Sequence, residues 1–440
     1  MFFVCGHSPD TRYVRRARVR SAISCGSLVF IMSALSALSA HAQQRIPLTL
    51  AEAEDLALAA EPGQQAMKAK AAALEGRAVV AGELPDPILR VGLNNFPIES
   101  GGFRTEGMTN AAVGLRQVFP AGKTRAFRSR EFNFMAAEMN ENAEVRGRNV
   151  LTAVRSAWLD LYYWEQAHDL VSESRPFFDD LATVTRSLYA VGRKSQQDVL
   201  RAELELSRLQ DRLIDIERQR SRARAALGEW IGRDAPRALA LKLPSWGQVP
   251  RLESLQVALP DHPALQAADA QIKARSAGVD LAQERSKPGW ALDLGYSYRE
   301  GFLPTGEPRS DFISLGVSID LPFFRKTSVD STLSAALQER SAAVSSREQT
   351  LRGLQSQLAA EYARWRDLTR RLSLYDTRIL NQAKDNAEAS MLAYQSGRGD
   401  FADVMRAYID DLNTRIDHIR LQVERAQSYA VLANLGGLPR

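Results

Sequence analysis

The chain has little cysteine and histidine: its 440 residues include two cysteines and five histidines. Two cysteines cannot build a disulfide framework or a four-ligand zinc site. The 27 glycines and 18 prolines exclude a collagen-like or low-complexity chain. GxSxG, Walker, GxGxxG and HExxH motifs are all absent from the sequence. We therefore expect no enzymatic activity, no cofactor and no catalytic residues.

The first 42 residues differ from the rest of the chain. Five arginines precede the apolar run SAISCGSLVFIMSALSALSA, which ends in Ala40-His41-Ala42. This order predicts a secretory signal peptide over residues 1–42. The alternative is an N-terminal membrane anchor, which the interrupting serines disfavour. Removing five arginines and one aspartate leaves 52 basic and 51 acidic residues. Without its basic surplus, the chain has no feature that favours nucleic-acid binding.

The remaining chain contains an internal duplication. Residues 189–203, YAVGRKSQQDVLRAE, and 394–408, YQSGRGDFADVMRAY, share seven of fifteen positions at an offset of 205. Other matching blocks keep the same order along both halves. The sequence predicts one repeat over 43–232, a linker over 233–251 and a second repeat over 252–440.

Each repeat contains two short segments in which apolar and polar residues alternate. The alternation predicts strands at about 88–95, 111–119, 290–300 and 312–321. It is typical both of a half-buried soluble sheet and of a membrane barrel with a wet lumen, and it does not distinguish them. Four strands are too few to close a barrel.

Long helices follow each strand pair. The chain from 124 to 188 contains proline only at Pro176, where we expect a kink or a break. A helix of this length spans about 100 Å. Heptad-like spacing predicts coiled-coil packing into two helical hairpins, with tips at about 190–196 and 395–401. The three histidines beyond residue 42, at positions 168, 262 and 418, lack metal-ligand spacing, so no metal site is predicted.

The leader, the duplication and the repeated turn Y-x-x-G-R-x(4)-D-V-x-R-A resemble the TolC-like outer-membrane efflux family. The paired strands before Pro120 and Pro322 strengthen the resemblance, which covers essentially all of the chain after the leader. Residues 319–336, IDLPFFRKTSVDSTLSAA, and 116–132, RQVFPAGKTRAFRSREF, look closer to the branch that serves heavy-metal cation pumps.

The resemblance implies a mainly α-helical protein with a membrane β-barrel portion. Three copies would supply four strands each to a twelve-stranded barrel in the outer membrane of a Gram-negative bacterium, and their helices would form a tube across the periplasm. The implied function is a passive exit duct. Its implied partners are two further copies of the chain, outer-membrane lipid, a periplasmic adaptor protein and a proton-driven inner-membrane pump.

The resemblance also implies functional residues at the hairpin tips. The implied adaptor contacts are Val191, Gly192, Arg193, Ser396, Gly397 and Arg398. The implied periplasmic gate consists of Asp198, Tyr394, Arg398 and Asp403. Two positions depart from the family pattern. Arg406 follows Asp403 where some members have a second acidic residue, and Gly399 stands where the family has its gate arginine.

Two other functions stay open at this point. The same channel could secrete proteins as a type I secretion outer-membrane channel. Alternatively, the chain could be a soluble periplasmic coiled-coil protein, with its strands in an ordinary small sheet.

Overall fold

The structure, a computed structural model, describes residues 47–59 and 61–438, so the predicted signal peptide lies outside it. The first half contains α1 (Leu50–Ala59), α2 (Pro62–Gly82), β1 (Ile88–Asn94), β2 (Asn110–Phe119), α3 (Thr124–Ala190) and α4 (Gln196–Ile231). The second half contains α5 (Leu252–Ala258), α6 (Pro263–Glu284), β3 (Trp290–Tyr298), β4 (Phe312–Ile319), α7 (Lys326–Leu374), α8 (Leu380–Gln395) and α9 (Phe401–Gly436). The same order of elements therefore occurs twice. The limits of the two repeats stay a prediction.

The four strands form one antiparallel sheet in the order β1-β2-β3-β4. Each half supplies one hairpin, and β2 pairs with β3 where the hairpins meet. Within the described residues, neither β1 nor β4 has a partner along its outer edge. The protomer thus has two free strand edges, one on each side of the sheet.

The sheet exposes its apolar face. Along β3 the apolar residues are exposed, whereas Asp293, Gly295 and Ser297 between them are partly buried. On the neighbouring strands, Val91 and Leu315 are 78% and 72% exposed. A soluble sheet with one covered face shows the opposite arrangement, with its apolar residues inside.

Helix α3 runs unbroken for 67 residues and passes through Pro176. The predicted break is therefore wrong. Proline removes one backbone hydrogen bond and adds a steric clash, but the side chains that follow it are held by packing. Phe178 is buried, and the Phe177 ring lies 4.2 Å from that of Tyr408 on α9. These tertiary contacts hold the helix together across the proline.

The corresponding helix of the second half has a different irregularity. A π-helical turn, Tyr375–Ile379, joins α7 and α8. At the offset of 205 it corresponds to residues 170–174, just before Pro176 in α3. The two long helices therefore depart from regular geometry at nearly the same level, by different means.

The main core lies between α1, α3, α4 and α9, and contains Trp158, Leu161, Leu209 and Leu412. Val150, Val154 and Val171 of α3 also belong to this core. Arg155 of α3 forms a buried, two-bond ion pair with Glu54 of α1, at 2.6 Å and 3.3 Å. This contact fixes the first short helix against the long one.

Candidate functional site

The two hairpin tips have the same backbone geometry. After α3, Gly192 adopts φ +72°, and the N–H of Arg193 donates to the Leu188 carbonyl at 2.9 Å. After α8, Gly397 adopts φ +73°, and the N–H of Arg398 donates to the Ala393 carbonyl at 2.9 Å. A left-handed glycine followed by this six-residue bond is the Schellman motif that ends many helices.

The predicted adaptor-contact residues are exposed at these turns. A Cβ added to Gly192 or Gly397 would meet no heavy atom within 4 Å. The flanking side chains of Val191, Arg193 and Arg398 are exposed as well. The tips therefore offer accessible surface on one protomer, and their contact with an adaptor stays a prediction.

Asp198 lies in the helix cap of α4. Its N–H donates to the Ser195 hydroxyl oxygen at 3.3 Å, while its carboxylate accepts the Ser195 N–H at 3.4 Å and the Ser195 hydroxyl at 3.0 Å. This reciprocal capping box satisfies backbone donors at the helix start. The carboxylate is therefore already engaged within its own protomer.

Tyr394 is buried between the two tips. Its ring makes an edge contact with Phe401 at 5.7 Å, and the Lys194 ammonium of the other tip lies 4.1 Å from the ring centre. Burial raises the pKa of Tyr394; the Thr185 hydroxyl lowers it in part, and the nearby Asp198 charge raises it further. Tyr394 thus joins the two hairpins of one protomer.

Asp403 and Arg398 are the exposed members of the predicted gate. The Asp403 side chain is 60% exposed, and its nearest ionic partner is Arg406 at 3.3 Å. An ion pair this exposed contributes little to stability. Asp403 is therefore accessible to solvent, although Arg406 offsets its charge.

Sequence reasoning missed three residues that organise the tips. Lys194, Thr185 and Phe401 surround Tyr394. One signal was present: at the offset of 205, Lys194 corresponds to Gly399, so the two tips differ in charge there. The burial of Thr185 depends on tertiary packing and has no local signal.

The polar face of the sheet carries the second candidate surface. Asp293 of β3 lies 3.5 Å from Arg90 of β1 and 3.4 Å from Arg116 of β2. The Ser318 hydroxyl donates to the same carboxylate at 3.2 Å. One aspartate thus connects all four strands on the polar face of the sheet.

Within residues 47–59 and 61–438, no helix is both long and apolar enough to cross a membrane. No group of three His, Cys, Asp or Glu residues there is arranged to hold a metal ion. His262 instead caps α6, because its Nδ1 accepts the Ala264 N–H at 3.1 Å.

The chain is similar to proteins of known class. Residues 254–438 match a sequence profile described as outer membrane efflux protein. Protein CyaE of Bordetella pertussis is 27% identical over 414 residues, which cover 89% of this chain and 85% of CyaE. The resemblance to the outer-membrane efflux family is confirmed.

Solved structures show the same fold. The outer membrane protein VceC from Vibrio cholerae superimposes with a TM-score of 0.73 at 17% identity, over 88% of this chain and 96% of VceC. The open state of the MtrE outer membrane channel of Neisseria gonorrhoeae gives 0.72 at 18% identity, over 88% of each chain. The predicted fold class, mainly helical with a strand portion, is confirmed.

The description of the profile that residues 254–438 match agrees with the predicted location, the outer membrane. The matching profile and the solved relatives are described as efflux proteins, membrane proteins or channels, and none of these descriptions names an enzyme. The exposed apolar face of the sheet agrees with this location and contradicts the alternative of an ordinary soluble sheet.

Proposed function

We propose that this protein is a passive exit duct of the outer membrane, which conducts solutes that an inner-membrane pump delivers. The observation that carries the proposal is the sheet whose apolar face is exposed on all four strands, while its polar face is partly buried on β2 and β3. In transmembrane β-barrels the apolar face of the sheet contacts lipid and the polar face lines a water-filled lumen. The long α3 and the α7–α8 helix begin at the ends of β2 and β4, so they continue the duct into the periplasm.

The free edges of the sheet support a closed trimer. An unpaired strand edge leaves backbone N–H and C=O groups without partners, which lipid does not tolerate. If β4 of one copy pairs with β1 of the next, three copies form twelve antiparallel strands with no edge. The order β1-β2-β3-β4 places the two required strands on opposite sides of the protomer.

The tips supply the adaptor contact and the gate in this proposal. The exposed turns at Val191-Gly192-Arg193 and Ser396-Gly397-Arg398 dock a periplasmic adaptor. Asp403 and Arg398 are accessible for contacts between copies. Asp198 and Tyr394 act indirectly, because one caps α4 and the other packs between the hairpins.

The substrate is a separate part of the proposal. Heavy-metal cations remain a prediction that rests only on the resemblance of residues 116–132 and 319–336 to one branch of the family. The described residues supply no contact that supports a metal substrate.

Cell fractionation and conductance measurements test whether the protein is an outer-membrane duct. The full chain, expressed with its leader in a Gram-negative host, should sediment with the outer membrane and migrate as an oligomer in unheated detergent gels. It should also conduct ions in planar lipid bilayers. Recovery in the soluble periplasm, or a membrane-bound protein that never conducts, would contradict the proposal.

A further inference from the structure

A basic cavity of about 480 Å³ lies where the sheet joins the long helices. Its wall includes the ends of β2, β3 and β4 that are nearest the long helices, and the starts of α3 and α7. Arg116, Ala291 and Ser318, which lie on the polar face of the sheet, line it. In the closed barrel of the proposed duct, this face surrounds the lumen.

Two of the basic side chains in the wall have a carboxylate partner within 4.0 Å. Arg116 lies 3.4 Å from Asp293, and Lys287 lies 2.6 Å from Glu284. The Glu284 carboxylate also accepts the N–H of Lys123 at 2.7 Å. These contacts join β2 to β3 and α6 to the start of α3, so they have a structural role.

Three arginines in the wall have no such partner. Within the described residues, Arg128, Arg285 and Arg325 form no ion pair within 4.0 Å. The acidic side chain that lines the cavity is Asp320. Three positive charges against one negative charge leave a surplus of two per protomer, and a surplus of six around the axis of a trimer.

The surroundings strengthen the attraction for anions. Phe119 and Trp290, which belong to the apolar face, stack at 4.0 Å along the border of the cavity, and Pro120 and Pro322 also line it. Apolar walls lower the local dielectric and focus the field of fixed charges. Guanidinium groups also match the two-oxygen geometry of carboxylates and phosphates.

We propose that this cavity binds carboxylate or phosphate groups of the transported solute and makes the duct prefer anions. The inference rests on the proposed function, because it requires the polar face to surround the lumen. It names the substrate class of that duct as anionic solutes. The same surplus of charge repels multivalent cations, which argues against heavy-metal cations as the main substrate.

Planar bilayers with a KCl gradient test the preference. The wild-type trimer should give a reversal potential whose sign shows that chloride is more permeant than potassium. Replacing the three arginines together, Arg128→Ser, Arg285→Ser and Arg325→Ser, should lower the chloride-to-potassium permeability ratio severalfold. The matched variant with lysine at the same three positions keeps the charge and should retain the wild-type potential. All three proteins have the same gate, so differences between them report the cavity.

Pyrophosphate provides a second readout. Added on the periplasmic side, it should reduce the current through the wild-type and lysine proteins but not through the serine protein. Equal reversal potentials in all three, or potassium preference in the wild type, would overturn the inference and leave the duct intact. A wild-type protein without conductance would instead refute the duct. If the triple serine variant fails to assemble, Arg325→Ser alone should shift the potential in the same direction.

Discussion

At the residue scale, Tyr394 shows how a role implied by resemblance differs from the one that the contacts support. The resemblance implies that Tyr394 belongs to the periplasmic gate. In the structure the Tyr394 ring is buried against Phe401 and beneath Lys194. These contacts use the ring face and edge, and the hydroxyl contributes little to them. The side chain therefore holds the two hairpins of one protomer together.

These contacts predict different effects for two substitutions of Tyr394. Tyr394→Phe keeps the ring and should leave the conductance of the reconstituted trimer unchanged. Tyr394→Ala removes a buried aromatic side chain, a change that costs about 3–5 kcal/mol. The tips should then separate, and resting conductance should rise. An increase in conductance with Tyr394→Phe as large as with Tyr394→Ala would show instead that the hydroxyl closes the gate.

At the scale of elements, the hairpin turns depend on two left-handed glycines. A residue with a Cβ at φ near +70° costs roughly 1–2 kcal/mol, and asparagine costs less than branched residues. The open space around Gly397 means that this cost comes from the backbone and not from a clash. The turn should therefore respond to the conformational preference of the new residue rather than to its size.

We expect Gly397→Val to increase amide hydrogen exchange across the second tip and Gly397→Asn to increase it much less. Gly353 provides the control: it lies inside α7, has no heavy atom within 4 Å of an added Cβ and has no positive φ. Gly353→Val should leave exchange at the tip unchanged. Equal exchange in the valine and asparagine variants at 397 would contradict the backbone explanation.

The sequence predicted elements better than it predicted their irregularities. Strand alternation and the G-R turns are local patterns, and the strands and turns lie where these patterns occur. The path through Pro176 and the π-helical turn at Tyr375–Ile379 depend on packing between helices far apart in sequence. Phe177, for example, contacts Tyr408. No local pattern contains such contacts, and the same holds for the burial of Tyr394 among tip residues.

At the scale of the whole molecule, alternation alone left a soluble sheet and a membrane barrel equally open. The structure distinguishes them, because apolar residues of all four strands are exposed, whereas the polar-face residues of β2 and β3 are partly buried. Residues of that polar face form part of the wall of the arginine-rich cavity. A protein whose charged side chains face inward and whose apolar strand residues face outward requires an apolar environment around its sheet.

Adjacent residues of β4 test this orientation. Leu315 lies on the apolar face, whereas Ser314 borders a cavity of about 330 Å³ on the polar face. Leu315→Arg places a charge toward lipid, at a cost of about 2–4 kcal/mol near the middle of a bilayer. It should reduce the amount of unheated oligomer in the outer-membrane fraction. Ser314→Arg places the same side chain toward the lumen and should assemble normally. The reverse result, with Leu315→Arg assembling and Ser314→Arg failing, would mean that the polar face of the sheet is the one packed against protein or lipid.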